Sequence, residues 1–338
     1  MKQTIFNLTG VPILALCLIF NRVNLLRRLK FSALKTGYAG LANTLLACTL
    51  LLLFEGAVAA PFRLTLVLSE AGGAYREYSE ALAAELVNKS VTLQVIEAGN
   101  SLPEADLFIA AGMKAAATIA RQPSSAKLAV LVPREGFNKL LNEVTAPTKA
   151  AASNYSAIYL DQPYKRQLDL ITAALPHVKS IGVLYAQPPK ELNVLRHLMA
   201  IRKIVLHERS SVDGANLHQN LHTILLSSDV LLAMPDAEIY NASTIRNILL
   251  ASYRNKVPLI GFSPAYVKAG ALCAVYSTPA QIAKQSLAFI QEFITTGILL
   301  GAQAPREFEV LINEQVAHSL GLNIKSTSQL RSDIGAGP

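Results

Sequence analysis

The stretch DVLLAMPDAEIYNASTIRNILLASYRNKVPLIGFSPAYVKAGALCAVY, residues 229–276, decides the fold. It sets three short apolar runs, 230–233, 257–261 and 271–275, around two helical patterns. The runs are β-branched or small and free of charge, as strands covered by helices on both faces should be. Between the first two, residues 241–253 place Ile245, Ile248, Leu249 and Ser252 on one helical face, with Asn241, Ser243 or Thr244 able to cap its start. This is a βαβ unit, and it predicts a parallel sheet. Pro235 and Asp236 follow the first strand, and Phe262-Ser263-Pro264 follow the second. Both lie at carboxyl ends of strands, where an open α/β sheet receives its ligands.

Working outward, the same alternation fills the body of the chain. Strands are expected at 63–68, 91–96, 106–110, 128–132 and 156–160, with helices at 75–88 and from Gly112 through Ala120. Asp161-Gln162-Pro163 opens a new helix carrying Arg166, Leu168, Ile171 and Leu175 at helical spacing. Strand 180–185, helix 190–199, strand 204–207 and a helix near 217–226 lead into the opening stretch. After it come a long helix at 279–295, expected to lie back on the first lobe, a strand at 307–312 and a helix at 313–320. Short alternation of this kind predicts doubly wound sheets with right-handed crossovers. The expected organisation is a leader, 1–59; a first lobe, 60–160 plus 277–306; a second lobe, 161–276 plus 307–323; and a tail, 324–338. Crossings near 159–162, 276–278 and 305–310 would hinge two Rossmann-like lobes around a cleft.

The formal charge of +8 is concentrated at the N-terminal end. Residues 1–59 hold Lys2, Arg22, Arg27, Arg28, Lys30 and Lys35 against Glu55 alone, so the remainder carries 25 basic and 22 acidic side chains, a net +3. No Lys/Arg stripe survives there to bind nucleic acid. The leader instead has two apolar runs, 11–20 and 38–54, around a basic segment. It ends in Ala57-Val58-Ala59-Ala60-Pro61, a small-x-small pattern of a signal-peptidase site. Export to the periplasm with cleavage near Ala59 is expected, Ala60 becoming the first residue; an uncleaved anchor is the competing reading. Cys17 and Cys48 fall in the leader, which leaves Cys273 without an intramolecular disulfide partner and without a zinc site. It is expected to fill a buried strand position as a small apolar group.

Pro235-Asp236 ahead of a helix, then Val257-Pro258-Leu259-Ile260-Gly261, then Tyr266-Val267-Lys268-Ala269-Gly270-Ala271-Leu272, resemble the extracytoplasmic substrate-binding proteins of uncharacterised ABC transport systems. That resemblance extends loosely over about residues 62–323. It implies the type I periplasmic-binding fold, a small-molecule ligand held between the lobes, and an ABC permease in the inner membrane as partner. The chain departs from members similar to aromatic amino-acid receptors at 69–75 and 133–137, and in the Ala-Glu-Ile-Tyr that follows Asp236.

The candidate ligand contacts come from strand ends. On the first lobe they are Ser69, Glu70, Gly112 and Met113; Gly112 precedes a helix whose free N–H groups can hold an anion, or else it simply permits a tight turn. On the second lobe they are Tyr185, Pro235, Asp236, Tyr240 and Ser263. The resemblance places an acidic pocket residue at Asp236, where a carboxylate either takes an amine or hydroxyl from the ligand or caps the following helix. Tyr185 and Tyr240 either stack on a ligand ring or pack within the lobe. His218 and His222 share a helix face but lack the acidic partner of a zinc motif, and no nucleophile elbow, phosphate loop or GxGxxG is present. The expectation is a monomeric binding protein with no cofactor, no metal, no catalysis and no nucleic-acid partner. A periplasmic sensory protein that signals to a membrane kinase or cyclase is the alternative.

Overall fold

A computed structural model of the chain describes residues 61–122, 125–145, 154–212 and 216–335. The expected leader and its cleavage position lie outside the described residues. The first sheet has five strands, β1 (Phe62–Leu68), β2 (Val91–Glu97), β3 (Leu107–Ala111), β4 (Ala126–Val132) and β5 (Tyr155–Tyr159), all parallel in the order β2-β1-β3-β4-β5. Helices α1 (Gly73–Glu85), α2 (Met113–Ala120) and α3 (Arg134–Thr145) connect them. β3, β4 and β5 are buried at every position, whereas the edge strand β2 has no buried residue. That contrast is why β3 and β4, which lie inside the sheet, read as continuous apolar runs.

The second sheet follows the same winding. Its strands are β6 (Ser180–Tyr185), β7 (Val205–Ser210), β8 (Val230–Leu232), β9 (Leu259–Gly261), β10 (Cys273–Tyr276) and β11 (Glu309–Ile312), in the order β11-β10-β9-β8-β6-β7. Only β11 runs antiparallel to its neighbour. Around it lie α4 (Tyr164–Ala174), α5 (Leu192–Ile201), α6 (Leu217–Ser227), α7 (Ile245–Arg254) and α8 (Pro264–Ala269). After β10 come α9 (Pro279–Thr296), α10 (Glu314–Ser319) and α11 (Thr327–Gly335). Gly182 on β6 lets α6 approach, since a Cβ there would stand 2.2 Å from Ile224 Cγ2. Cys273 is fully buried on β10, where burial pushes its thiol up to about 12.

Each lobe closes its own core. α9 leaves the second sheet and packs Ile282, Phe289 and Ile290 against Leu66, Ile109 and Leu128 of the first, on the same side as α1. Tyr78 of α1 donates a 2.8 Å hydrogen bond to Ser286 of α9. On the opposite face Ile119 of α2 and Phe137 of α3 pack on Phe108 and Val132, with Phe137 edge-on to Tyr155 at 5.0 Å. Start signals explain the long helix: Thr278 and Gln281 form a reciprocal capping box, and Pro279 occupies its first turn.

Three segments differ from the sequence reading. Pro133 ends β4 but also begins α3, a helix that the sequence reading passed over although Phe137, Leu140, Leu141 and Val144 stand at helical spacing. α7 starts at Ile245 with Thr244, one of the three expected caps, at its N-cap position but without a side-chain capping bond, while Asn241 accepts the Ser243 N–H at 3.0 Å in an Asx turn. The segment expected as a tail contains α11, which docks on α4 and β11 with Leu330 and Ile334 buried. Two apolar residues four apart are enough to bury one face once a partner surface exists.

The passages between the sheets are bound to one another. Gln162 donates to Ser277 Oγ at 2.9 Å, Ser277 donates to the Glu307 carbonyl at 2.5 Å, and Arg166 reaches the Pro305 and Arg306 carbonyls at 3.0 and 3.2 Å. Gln303 forms a bridge alongside Ile158 at the edge of the first sheet. Side chains therefore tie the three passages together among the described residues.

Candidate functional site: the interlobe cavity

The carboxyl ends of β4 and β5 in the first lobe face those of β6 and β8 in the second across a cavity of about 440 Å³. That size falls within the range of small-molecule sites. Met113, Pro133, Arg134, Glu135, Gly136 and Lys139 form one wall. The passage after β5 supplies the floor with Asp161, Gln162, Pro163 and Tyr164. The other wall comes from Tyr185, Ala186 and Glu191 and from the segment Met234 to Glu238.

Two contacts close across the mouth. Arg134 pairs with Glu191, and the Lys190 N–H donates to Glu135 Oε1 at 3.0 Å. The Arg134 guanidinium also lies 4.5 Å over the Tyr159 ring. A partly exposed ion pair such as Arg134–Glu191 contributes about 0–1 kcal/mol. The two contacts can favour an approach of the lobes without locking it.

Asp161 sits at the floor, between the start of α3 and the start of α4. Its Oδ2 accepts the Arg134 N–H at 2.7 Å. Burial raises its carboxyl to about 6, opposed by that backbone hydrogen bond and the Arg134 charge. Tyr164 packs nearby with its hydroxyl 3.8 Å from Met234 Sδ, and burial pushes its phenol upward. Tyr185 presents its ring to the cavity while its hydroxyl donates to Glu208 at 2.7 Å; burial, then that hydrogen bond, raise it to about 12.

Of the nine candidate contacts from the sequence, Met113, Tyr185, Pro235 and Asp236 line this cavity. The Asp236 carboxylate is already engaged, Oδ2 by the Ala186 N–H at 2.7 Å and Oδ1 by the Glu238 N–H at 2.9 Å. It fastens the ends of β6 and β8 together. The other five lie off the lining. Ser69 accepts the Ala115 N–H at 3.1 Å, which caps α2, and Glu70 is exposed. Gly112 is covered by Ser69 and the Tyr75 ring, so the crevice between β1 and β3 is filled by the protein itself. Tyr240 is buried under Phe262 and its phenol is raised chiefly by that burial. Ser263 begins α8.

The sequence reading missed Arg134, Glu135, Asp161 and Glu191. Applying the strand-end rule to β4 and β5 would have pointed to the first three, because they follow those strands directly. Glu191 had no such signal; only the approach of the lobes brings it to Arg134. His218 and His222 are both exposed on α6, and among the described residues no group of three or more His, Cys, Asp or Glu side chains is placed to hold a metal ion.

A family model described as ABC transporter substrate binding protein matches residues 104–331. The chain belongs to this family. Among curated proteins none matches it significantly. Solved structures share the fold at low identity. A conserved domain protein from Vibrio cholerae is 20% identical, covering 81% of this chain and 98% of its own, with a TM-score of 0.58. An ABC domain in complex with L-Trp from Streptococcus pneumonia is 14% identical over 80% and 98%, at 0.58. A substrate binding protein with adhesive properties from Clostridium difficile, in its ligand-free, open structure, is 15% identical over 78% and 96%, at 0.59. These likenesses establish the two-lobed α/β architecture. Membership of the family makes the chain a substrate-binding protein of ABC transport systems, with a small-molecule ligand and a membrane permease as partner. Among the described residues no helix is long and apolar enough to cross a membrane.

Proposed function

We propose that this chain is the periplasmic solute-capturing component of an ABC-type transport system, which closes its two lobes on a small molecule and presents it to the permease as a monomer, without catalysis and without nucleic acid. The observation that carries the reading is the 440 Å³ cavity walled by strand ends of both lobes. Two lobes connected by a bundle of hydrogen-bonded passages suit hinge closure, in which a few connecting residues absorb the motion. The Arg134–Glu191 pair and the Glu135–Lys190 contact are the kind of interlobe bonds that only an approached form makes.

Binding to the native state alone stabilises it by mass action, about 2.7 kcal/mol when ligand stands at 100 times Kd. A thermal-shift screen of small metabolites is therefore expected to yield compounds that raise Tm in a concentration-dependent way. A broad screen with no shift would remove the binding reading. Export by the N-terminal leader belongs to the same proposal: Edman sequencing of protein recovered from the periplasm is expected to begin at Ala60. A retained leader in that fraction would refute the cleavage.

A further inference from the structure

The cavity offers little to an anion. At the start of α3 the Arg134 N–H is taken by Asp161, and beside Met113 the Ala115 N–H at the start of α2 is taken by Ser69. At the end of β6 the Ala186 N–H is taken by Asp236, which also holds the Glu238 N–H. Helix starts and strand ends of this kind would otherwise receive a carboxylate or phosphate. Here a protein oxygen already meets one amide at each of these three places.

The side-chain charges point the same way. Two cations, Arg134 and Lys139, line the cavity against five carboxylates, Glu135, Asp161, Glu191, Asp236 and Glu238. Arg134 is committed to Glu191 and to the face of Tyr159, and Lys139 is exposed. A partly buried space with surplus negative charge raises the local concentration of cations and binds them more strongly than water-exposed carboxylates would. Between the charges the walls are apolar or aromatic: Met113, Pro133, Pro163, Tyr164 and Met234.

Resting on the solute-binding reading, we propose that the cleft takes a small organic cation, an amine with an apolar body and no carboxylate, with Asp161 and Glu238 supplying its counter-charge. Asp161, partly buried between the starts of α3 and α4, receives the ammonium. Glu238, exposed at the mouth, sets the field on entry. Tyr164 and the two methionines cover the apolar part, and a tyrosine face adds attraction for the cation. A ligand carboxylate would meet these acidic groups, and the Arg134, Ala115 and Ala186 amides that could offset them are already taken.

The test uses three probes that share one ring and differ in charge: tyramine, tyrosine and 4-hydroxyphenylacetate, titrated calorimetrically into the mature protein at low salt. Tyramine is expected to bind at least about tenfold more tightly than tyrosine, and the acid not at all. Asp161→Asn and, independently, the exposed Glu238→Lys are each expected to weaken tyramine by about tenfold; the second keeps the test open should the first perturb folding. Tyrosine or the acid binding as tightly as tyramine would overturn the cation assignment, as would equal affinity in both variants. Binding by none of the three would also overturn it, and the metabolite screen would then decide separately whether the cleft binds a solute.

Discussion

Gly112→Ala is expected to cost about 2–4 kcal/mol of stability, the sum of backbone strain and overpacking. Gly112 has φ 89° and ψ 168°, a conformation that L side chains rarely adopt. An added Cβ would stand 2.5 Å from Ser69 Oγ and 2.7 Å from the Tyr75 ring. Ser69 cannot move away freely, because its hydroxyl accepts the Ala115 N–H. Tyr75 packs against the first-lobe core between α1 and the sheet. Gly99→Ala separates the two contributions: Gly99 has φ 115° with nothing within 4 Å of the added Cβ, so only strain of about 1 kcal/mol should appear. Denaturant unfolding of both variants checks this. A Gly112→Ala variant as stable as wild type would show that the crevice between β1 and β3 is not closed as described.

The second large effect concerns pH. Asp161 has its carboxyl raised to about 6 in the folded protein, from the ordinary value of 3.8. Below about 4 both folded and unfolded states bind the proton, and the carboxyl imposes no charge-burial cost. Between about 4 and 6 the folded state holds a proton that the unfolded state has lost, so stability falls as pH rises. Above 6 the cost is fully expressed, at most about 3 kcal/mol at 1.36 kcal/mol per unit because the carboxyl is only partly buried. Asp161→Asn keeps an acceptor for the Arg134 N–H and removes the charge. The variant is expected to be more stable than wild type near pH 7.5, by up to about that amount, and to converge on it near pH 4. Arg134 lessens the cost and Glu135 adds to it, so both should remain unchanged in the comparison. Melting curves across this range are the measurement. A difference between the two proteins that is the same at every pH would mean that Asp161 does not carry its charge in a buried setting.

These two positions also show how the site divides between what was legible and what was not. The strand-end rule named Ser69 and Gly112, which fall beside the β1–β3 crevice of the first lobe, and Tyr185 and Asp236, which fall beside the β6–β8 crevice of the second. In the second lobe that crevice, between β6 and β8, opens onto the cavity. In the first lobe the equivalent crevice, between β1 and β3, is plugged by Tyr75 and by the Ser69 cap, and the opening moves along the sheet to β4 and β5. Residue types at positions 69 and 112 were compatible with either outcome. The rotation of one tyrosine ring onto one glycine was not encoded in any local pattern. Asp161 presents the same lesson from the other side. It was read as the opening of a helix, and its partial burial arises because α3, β5 and α4 converge on it.

The sequence by itself determined the alternation of strands and helices, the parallel winding of two sheets and the burial of Cys273. Period, run length and β-branching are local properties, and an apolar run free of charge can be satisfied only between covering layers. Only the tertiary structure decided which strand ends are open, that residues 327–335 complete the second lobe, and that Arg134 meets Glu191. Those outcomes depend on contacts between segments distant in the chain, 57 residues apart for Arg134 and Glu191. The charge that a ligand meets in the cleft follows from how many of its carboxylates and amides the folded protein has already paired with one another, a quantity that exists only after the lobes have come together.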